Sequence, residues 1–319
     1  MTKMPILRQN YNDIFVRMNY HKNPLLLLFL AVLFISCSAQ QEETPLPTLD
    51  TEQLIEDLRF ISSDTTEGRR AGTEGNRIAR EYIVERFKET GAQPFQGSYT
   101  HEFEFTNRQD EQMTGVNVIG QITGDSDSVI VITAHYDHLG KQDSLIYNGA
   151  DDDASGTSAL LAYAEYFSQV QPNHTLVFAA FDAEEMGLRG ARAFVQDSVF
   201  LEKVKLNINL DMIAQNQENE LYAVGTYHYP ELKTVLDSID TGAINLQFGH
   251  DDPNSDLDDW TYASDHGPFH QQGVPFVYFG VEDHEHYHSH TDEFETIPQD
   301  FYKSSVQLIL NAIEAFDEQ

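Results

Sequence analysis

Apolar positions along this chain fall into three textures. From Pro24 to Ile35 they are continuous, "PLLLLFLAVLFI", with no polar residue between them. Further on they recur at helical spacing. Leu54, Ile55, Leu58 and Ile61 share one face of "TEQLIEDLRFIS", and Ile78, Tyr82, Ile83 and Phe87 share a face of a second helix that Gly91 stops. The third texture is short, β-rich and mostly without alternation: "NVIGQI", "SVIVITA" (128–134), "HTLVFAAF" (174–181), "KLNINL" (205–210) and "VPFVYFG" (274–280). Such runs suit strands covered on both faces. Helical stretches at 154–169, about 187–197, 230–238 and 300–316 separate them. Strand alternating with helix predicts an α/β fold, a single domain with a central, mostly parallel mixed sheet flanked by helices. Residues 215–272 are the least regular and are expected to carry loops over the site.

The continuous run has the length of a signal-peptide core and is short for a membrane span. It leads to Cys37, the only cysteine. "FISCS" resembles a bacterial lipobox, although Phe34 stands where leucine is more usual. With no second cysteine to pair with, Cys37 is expected to be lipidated. "SAQQEETPLPTLD" then reads as a tether. The expected organisation is a lipoprotein signal over 1–36, a tether over 37–49 and one catalytic domain over 50–319. The expected place is the cell envelope, with the membrane reached only through the lipid.

Charge narrows the functions. With 52 acidic against 19 basic side chains, the formal net charge is −33. Such a surface repels nucleic acid and favours cations. Beyond residue 100 the only arginines are Arg108, Arg189 and Arg192.

The strands end in chemistry. "SVIVITA" runs into His135-Tyr136-Asp137-His138, "HTLVFAAF" into Asp182-Ala183-Glu184-Glu185, "KLNINL" into Asp211, and "VPFVYFG" into "VEDHEHYHSHTD". In open α/β sheets, ligands bind outside the carboxyl ends of the strands. Asp151, Asp152 and Asp153 precede a helix facing the same edge. Each piece alone has an ordinary reading: a hydrogen-bonded turn, dipole compensation by the Glu pair, a helix cap at Asp153 or Ser155, a solvated His tract. Together, carboxylates and imidazoles converging on one edge point to a metal.

These stretches carry a resemblance. "AHYDHLG", "NGADDDASG", "FAAFDAEEMGLRGA", "NLDMI", "SDHGPF" and "YHSHTD" are similar, in that order, to the motifs of the secreted bacterial dizinc aminopeptidases, relatives of glutaminyl cyclases and glutamate carboxypeptidases. "RRAGTEGNRIAREYI" resembles that family's leader helix. The resemblance implies two zinc ions, with other divalent metals accepted by such mixed sites. It implies His135 and Asp211 on one metal, Glu185 and His288 on the other, and Asp152 bridging them across a cis Asp152–Asp153 bond. His284, His286 and His290 lie close enough that spacing alone does not exclude them. Asp137 would orient His135, while Asp153, Asp265 and His266 would line or support the site. Glu184 would be the general base and Tyr287 a donor to the oxyanion.

The expected activity is a metal-dependent aminopeptidase, a monomer acting on peptides with a free N-terminus. The scarcity of arginine counts against a carboxypeptidase, which must grip a C-terminal carboxylate. A glutaminyl cyclase on the same scaffold and a non-catalytic binding module are the alternatives. The acidic loop "GHDDPNSDLDDW" (249–260) has no clean calcium-loop spacing and reads as solvated acid.

Overall fold

The first helical texture folds as α1, Thr51–Ile61, which Asp50 caps by accepting from the N–H groups of Glu52 and Gln53 at 3.1 and 3.0 Å. The second folds as α2, Glu74–Thr90, capped by Thr73 and stopped by Gly91, whose φ of 86° suits a residue without Cβ. Leu54, Leu58, Ile61, Ile83 and Phe87 are buried between these helices and the sheet. Each such side chain contributes roughly 1.5–3 kcal/mol. Across the joint, Arg86 Nε meets the buried Asp57 carboxylate at 2.9 Å.

This computed structural model describes residues 47–319, one compact unit. The leader, Cys37 and the tether up to residue 46 lie outside the described residues. Among the described residues no helix is long and apolar enough to cross a membrane.

The strands are β1 (Gln93–Pro94), β2 (Thr100–Thr106), β3 (Gln112–Ile122), β4 (Val129–His135), β5 (Gly140–Gln142), β6 (Leu145–Tyr147), β7 (Thr175–Phe181), β8 (Val204–Leu210), β9 (Glu220–Val224), β10 (Asn245–Phe248) and β11 (Phe276–Gly280). Nine form one mixed sheet in the order β1-β3-β7-β4-β8-β11-β9-β10, with β2 also paired to β3; β5 and β6 make a separate hairpin. β7, β4, β8 and β11 run parallel to one another, and β3 and β9 flank this block antiparallel. All five β-rich runs noted above are strands, and the four that end in chemistry are the four parallel ones. Their carboxyl ends therefore share one edge. β4 and β8 are neighbours, and the chain passes from β4 to β7 on one side but from β8 to β9 and β11 on the other. A crevice forms at such a reversal.

The remaining helices are α3 (Gly156–Phe167), α4 (Arg189–Phe194), α5 (Ser198–Leu201), α6 (Pro230–Leu236), α7 (His266–Gln271) and α8 (Gln299–Asp317). α3 is buried on nearly every face, as its apolar sequence dictates. The helix expected from about 187 starts at Arg189, so Glu184 and Glu185 stand in the turn between β7 and α4 rather than in a first helical turn. Residues 215–272 are more regular than their sequence suggests, holding β9, α6, β10 and α7. Their short pieces gain stability from the sheet edge they extend.

Candidate metal centre

β4 delivers His135 and β8 delivers Asp211. His135 Nε2 lies 3.5 Å from Asp211 Oδ1 and 3.2 Å from Asp152 Oδ1. The other oxygen of Asp152, Oδ2, lies 3.3 Å from His288 Nε2, which in turn is 3.6 Å from Glu185 Oε2. Asp152 thus belongs to two clusters, one oxygen in each. Ligand atoms about 2.0–2.2 Å from a tetrahedral ion stand about 3.3–3.6 Å from one another. Three of the four separations fall at that spacing and the fourth, 3.2 Å, is just below it, so the donor set fits two metals sharing one carboxylate. Among the described residues Glu185 Oε1 is buried and accepts no hydrogen bond, although His138 Nδ1 lies 2.8 Å away, a condition that a cation relieves.

The three consecutive aspartates have three destinations. Asp151 Oδ1 accepts from Ala214 N at 2.7 Å, and its Oδ2 meets His284 Nε2 at 2.9 Å. Asp153 accepts from His135 N at 3.1 Å and from Gly156 N at 2.8 Å, joining the end of β4 to the start of α3. Only Asp152 faces both clusters. The peptide between it and Asp153 is cis. Asp292 Oδ2 fixes the segment by accepting from the N–H groups of Asp151 and Asp152, each at 3.1 Å. Gly149 lets the loop close: at φ 54°, a Cβ there would stand 2.1 Å from Asp152 O and 2.6 Å from the His138 ring.

The His tract sorts itself in the same way. His284 is taken by Asp151, His286 Nδ1 meets Thr291 Oγ1 at 2.9 Å, and the His290 ring lies against Tyr147. His288 alone of the four is within 4 Å of both Asp152 and Glu185. Tyr287 stacks on it, ring centroids 3.9 Å apart, at the cavity wall.

Asp137 holds His135 through its main chain. His135 Nδ1 bonds the backbone carbonyl of Asp137 at 3.1 Å, while the carboxylate is 3.7 Å away. That carboxylate instead accepts from Glu184 N at 2.9 Å, so a single residue positions both a ligand and the candidate base. Asp265 is buried near His135 and Asp211, with neither carboxylate oxygen hydrogen-bonded. His266 does not line the cavity. It is stacked between Phe276 and Tyr278 and donates from Nε2 to Trp260 O at 2.8 Å. Burial pushes its pKa down to about 4.

Electrostatics separate the carboxylates. Burial alone would raise Asp152, but the imidazoles of His138, His135 and His288 outweigh it and hold its pKa well below the usual carboxylate range. Glu184 moves the other way. Burial lifts it well above the ordinary value, and Asp265, Asp211 and Glu185 add to the rise. Charge is thus concentrated on the ligand, and proton affinity on its neighbour, the division that acid–base work needs.

Two residues escaped the sequence reading. His138 is buried with neither nitrogen hydrogen-bonded, and its Nδ1 stands 2.8 Å from Glu185 Oε1 and 3.6 Å from Asp152 Oδ2. With Asp152 and Glu185 it forms a second set able to hold a metal; its place in "HYDH" was the available signal. Arg69 is fully buried and donates to the carbonyls of Tyr136, Ile61 and Gly149 at 2.8, 2.9 and 2.9 Å. No local pattern marks an arginine for that role.

The centre opens into a cavity of about 340 Å3. Glu184 and the ligands form its floor, and Met212, Trp260, Tyr262, Tyr278 and Val281 give it an aromatic, apolar wall. Trp260, the only tryptophan, lies flat on His250 at 3.6 Å. In the acidic loop, Asp251 is buried and accepts from Gly225 N and Tyr227 N, both at 2.8 Å, while residues 253–258 are exposed. The loop thus holds solvated acid and one structural carboxylate.

The profile of peptidase family M28 matches residues 117–313. Aminopeptidase YwaD of Bacillus subtilis is 28% identical over 224 residues, 66% of this chain and 45% of that protein. The chain spans less than half the length of the curated relatives it matches. Among solved structures, a zinc aminopeptidase from Bacillus subtilis superposes with a TM-score of 0.68 at 18% identity, covering 84% of this chain and 95% of the other. A glutaminyl cyclase from Fimbriiglobus ruber gives 0.69 at 19% identity, covering 84% and 96%. These likenesses show a shared fold.

Proposed function

The chain belongs to peptidase family M28, and we propose that it is an aminopeptidase with a co-catalytic pair of zinc ions. One observation carries the reading: the two oxygens of Asp152 are divided between two His–carboxylate clusters, with Glu184 in the wall of the same cavity. His135 and Asp211 would hold one ion, Glu185 and His288 the other, and Asp152 both. When bound, the metals polarise the scissile carbonyl and lower the pKa of a water towards neutrality.

The chain's own groups then do the rest. Glu184 takes the proton of the attacking water and passes it to the leaving amine. Its raised proton affinity suits that exchange. Asp137 keeps Glu184 and His135 in register, through its carboxylate and its carbonyl. Tyr287 supplies a phenol at the cavity wall for the oxyanion; burial, with Asp152 and Asp211 nearby, keeps it protonated and able to donate. The wall around Trp260 and Tyr278 excludes water and receives the N-terminal side chain. All five ligands come from a single chain, so a monomer suffices. Lipidation at Cys37, in "FISCS", would present the domain at the cell envelope; labelling cells with a radioactive fatty acid, and its loss in Cys37→Ser, tests this.

The test of activity is a synthetic peptide beginning Gln-Leu, incubated with the zinc-supplemented protein and followed by mass spectrometry. Loss of the whole first residue, stopped by a chelator, is the expected outcome. Loss of ammonia alone would replace the aminopeptidase with a cyclase, and an unchanged peptide would remove both.

A further inference from the structure

Among the described residues Arg108 is the only arginine or lysine lining the cavity, whose other ionisable walls are the metal-centre residues, Glu184, Tyr262, Tyr278, Asp283 and Tyr287. It stands at the tip of the β2–β3 hairpin. The tip is a built turn: Asn107 Oδ1 accepts from Gln109 N at 2.9 Å and Glu111 N at 3.0 Å, and Asn107 Nδ2 donates to Glu111 Oε2 at 2.8 Å. The other two arginines beyond residue 100 are engaged elsewhere, Arg189 with the Met186 carbonyl and Arg192 with that of Gly187. Among the described residues Arg108 has no such partner, and its side chain is exposed.

We propose that Arg108 binds the C-terminal carboxylate of the substrate, making the enzyme selective for short peptides with a free carboxyl end. This rests on the aminopeptidase reading. A free peptide brings two charges. Its amine is welcome in an acidic cleft, but its carboxylate approaches a molecule of net charge −33 and is repelled. A guanidinium matches a carboxylate with two parallel hydrogen bonds. Because it lines the same cavity as the metal centre, it meets a terminal carboxylate when both ends of the peptide fit within that cavity. The cavity of about 340 Å3 is at the small end of ligand sites, roughly 300–1,000 Å3. An arginine in the site does not by itself make a carboxypeptidase, because in a short peptide both ends lie within one cavity.

The experiment compares Leu-Gly-Gly as free acid and as C-terminal amide, with Leu-Glu-Gly amide as a third substrate. KM and kcat are measured for the zinc-loaded wild type, Arg108→Ala and Arg108→Lys. Binding of the same peptides to zinc-loaded Glu184→Gln, with and without Arg108→Ala, is measured by calorimetry. The wild type should show a KM for the acid about three- to tenfold below that for the amide. Arg108→Ala should erase the difference with kcat unchanged, and Arg108→Lys should restore part of it. Equal KM values for acid and amide in the wild type would overturn the proposal. A dependence on Arg108 seen only with the Glu-containing amide would also overturn it, by assigning the arginine to an acidic side chain. If no peptide is cleaved, the aminopeptidase reading fails. The calorimetry then decides the arginine alone: tighter acid than amide, lost in the double variant, supports it, and equal or absent binding overturns it.

Discussion

The carboxylate of Asp292 accepts the backbone N–H of Asp152 at 3.1 Å, so a residue four positions beyond His288 holds the loop that carries the bridging ligand. The same carboxylate takes Asp151 N with both oxygens, at 3.0 and 3.1 Å. One loop of the site is thereby tied to the other. Asp292→Ala frees both amides and should weaken zinc affinity about 10–100-fold, read by competition with a chromophoric chelator. Affinity within twofold of wild type would remove Asp292 from this role.

Glu184→Gln keeps the shape of the side chain and removes its proton affinity. The variant should retain both metals by elemental analysis and lose about 10²–10⁴ in kcat. Lost metal with retained turnover per bound metal would make Glu184 a ligand instead of the base.

Removing the metals leaves Asp152, Glu185 and Asp211 buried or half-buried beside one another, with imidazoles in place of a divalent counter-ion. A metal present at 100 times its Kd contributes about 2.7 kcal/mol, which for a domain of this size is a Tm shift of roughly 5–10 °C. Chelation should lower Tm by that amount and abolish turnover, and added zinc should restore both. An unchanged Tm would mean that the clusters do not hold metal in the folded protein.

His266 predicts a pH dependence of stability. Buried between Phe276 and Tyr278 and donating to Trp260 O, it stays neutral, with its pKa depressed to about 4. The unfolded chain binds a proton near pH 6.5 that the folded state refuses until near 4. The stabilising contribution is complete above 6.5 and is lost as pH falls towards 4, to a limit of about 3 kcal/mol. Urea midpoints between pH 4 and 7 should therefore depend less steeply on pH in His266→Gln than in wild type. Parallel curves would refute the assignment.

Arg69→Met should destabilise by roughly 3 kcal/mol or more, because the buried carbonyls of Ile61, Tyr136, Asn148, Gly149 and Asp152 lose their donor. The carbonyls of Tyr136 and Gly149 belong to the loops carrying His135 and Asp152, so zinc affinity should fall with stability. Loss of stability with unchanged zinc affinity would limit the arginine to the packing of the leader helices.

Much of the site was legible in the sequence because strand and ligand are contiguous. Once "SVIVITA", "HTLVFAAF", "KLNINL" and "VPFVYFG" read as buried strands, parallel pairing brings whatever follows them to one edge. That local rule set the positions of His135, the Glu184–Glu185 pair and Asp211, and the five side chains named from the resemblance lie beside one another at that edge. Hydrophobic periodicity likewise determined α1, α2, α3 and α8, where the buried face is written at helical spacing. Tertiary structure alone decided which of several equivalent side chains serves which purpose. Asp151, Asp152 and Asp153 are chemically identical, and so are the four histidines of the tract. Backbone donors of distant segments capture Asp151 and Asp153, while His284 is taken by Asp151. The same holds for His138 and Arg69: partners 67 residues away in the chain, as between Arg69 and Tyr136, leave no trace in local pattern. Trp260 forms a cavity wall because an irregular stretch is draped over the sheet edge. Propensity fixes elements, but long-range burial and hydrogen bonding fix which atoms face the candidate metal centre.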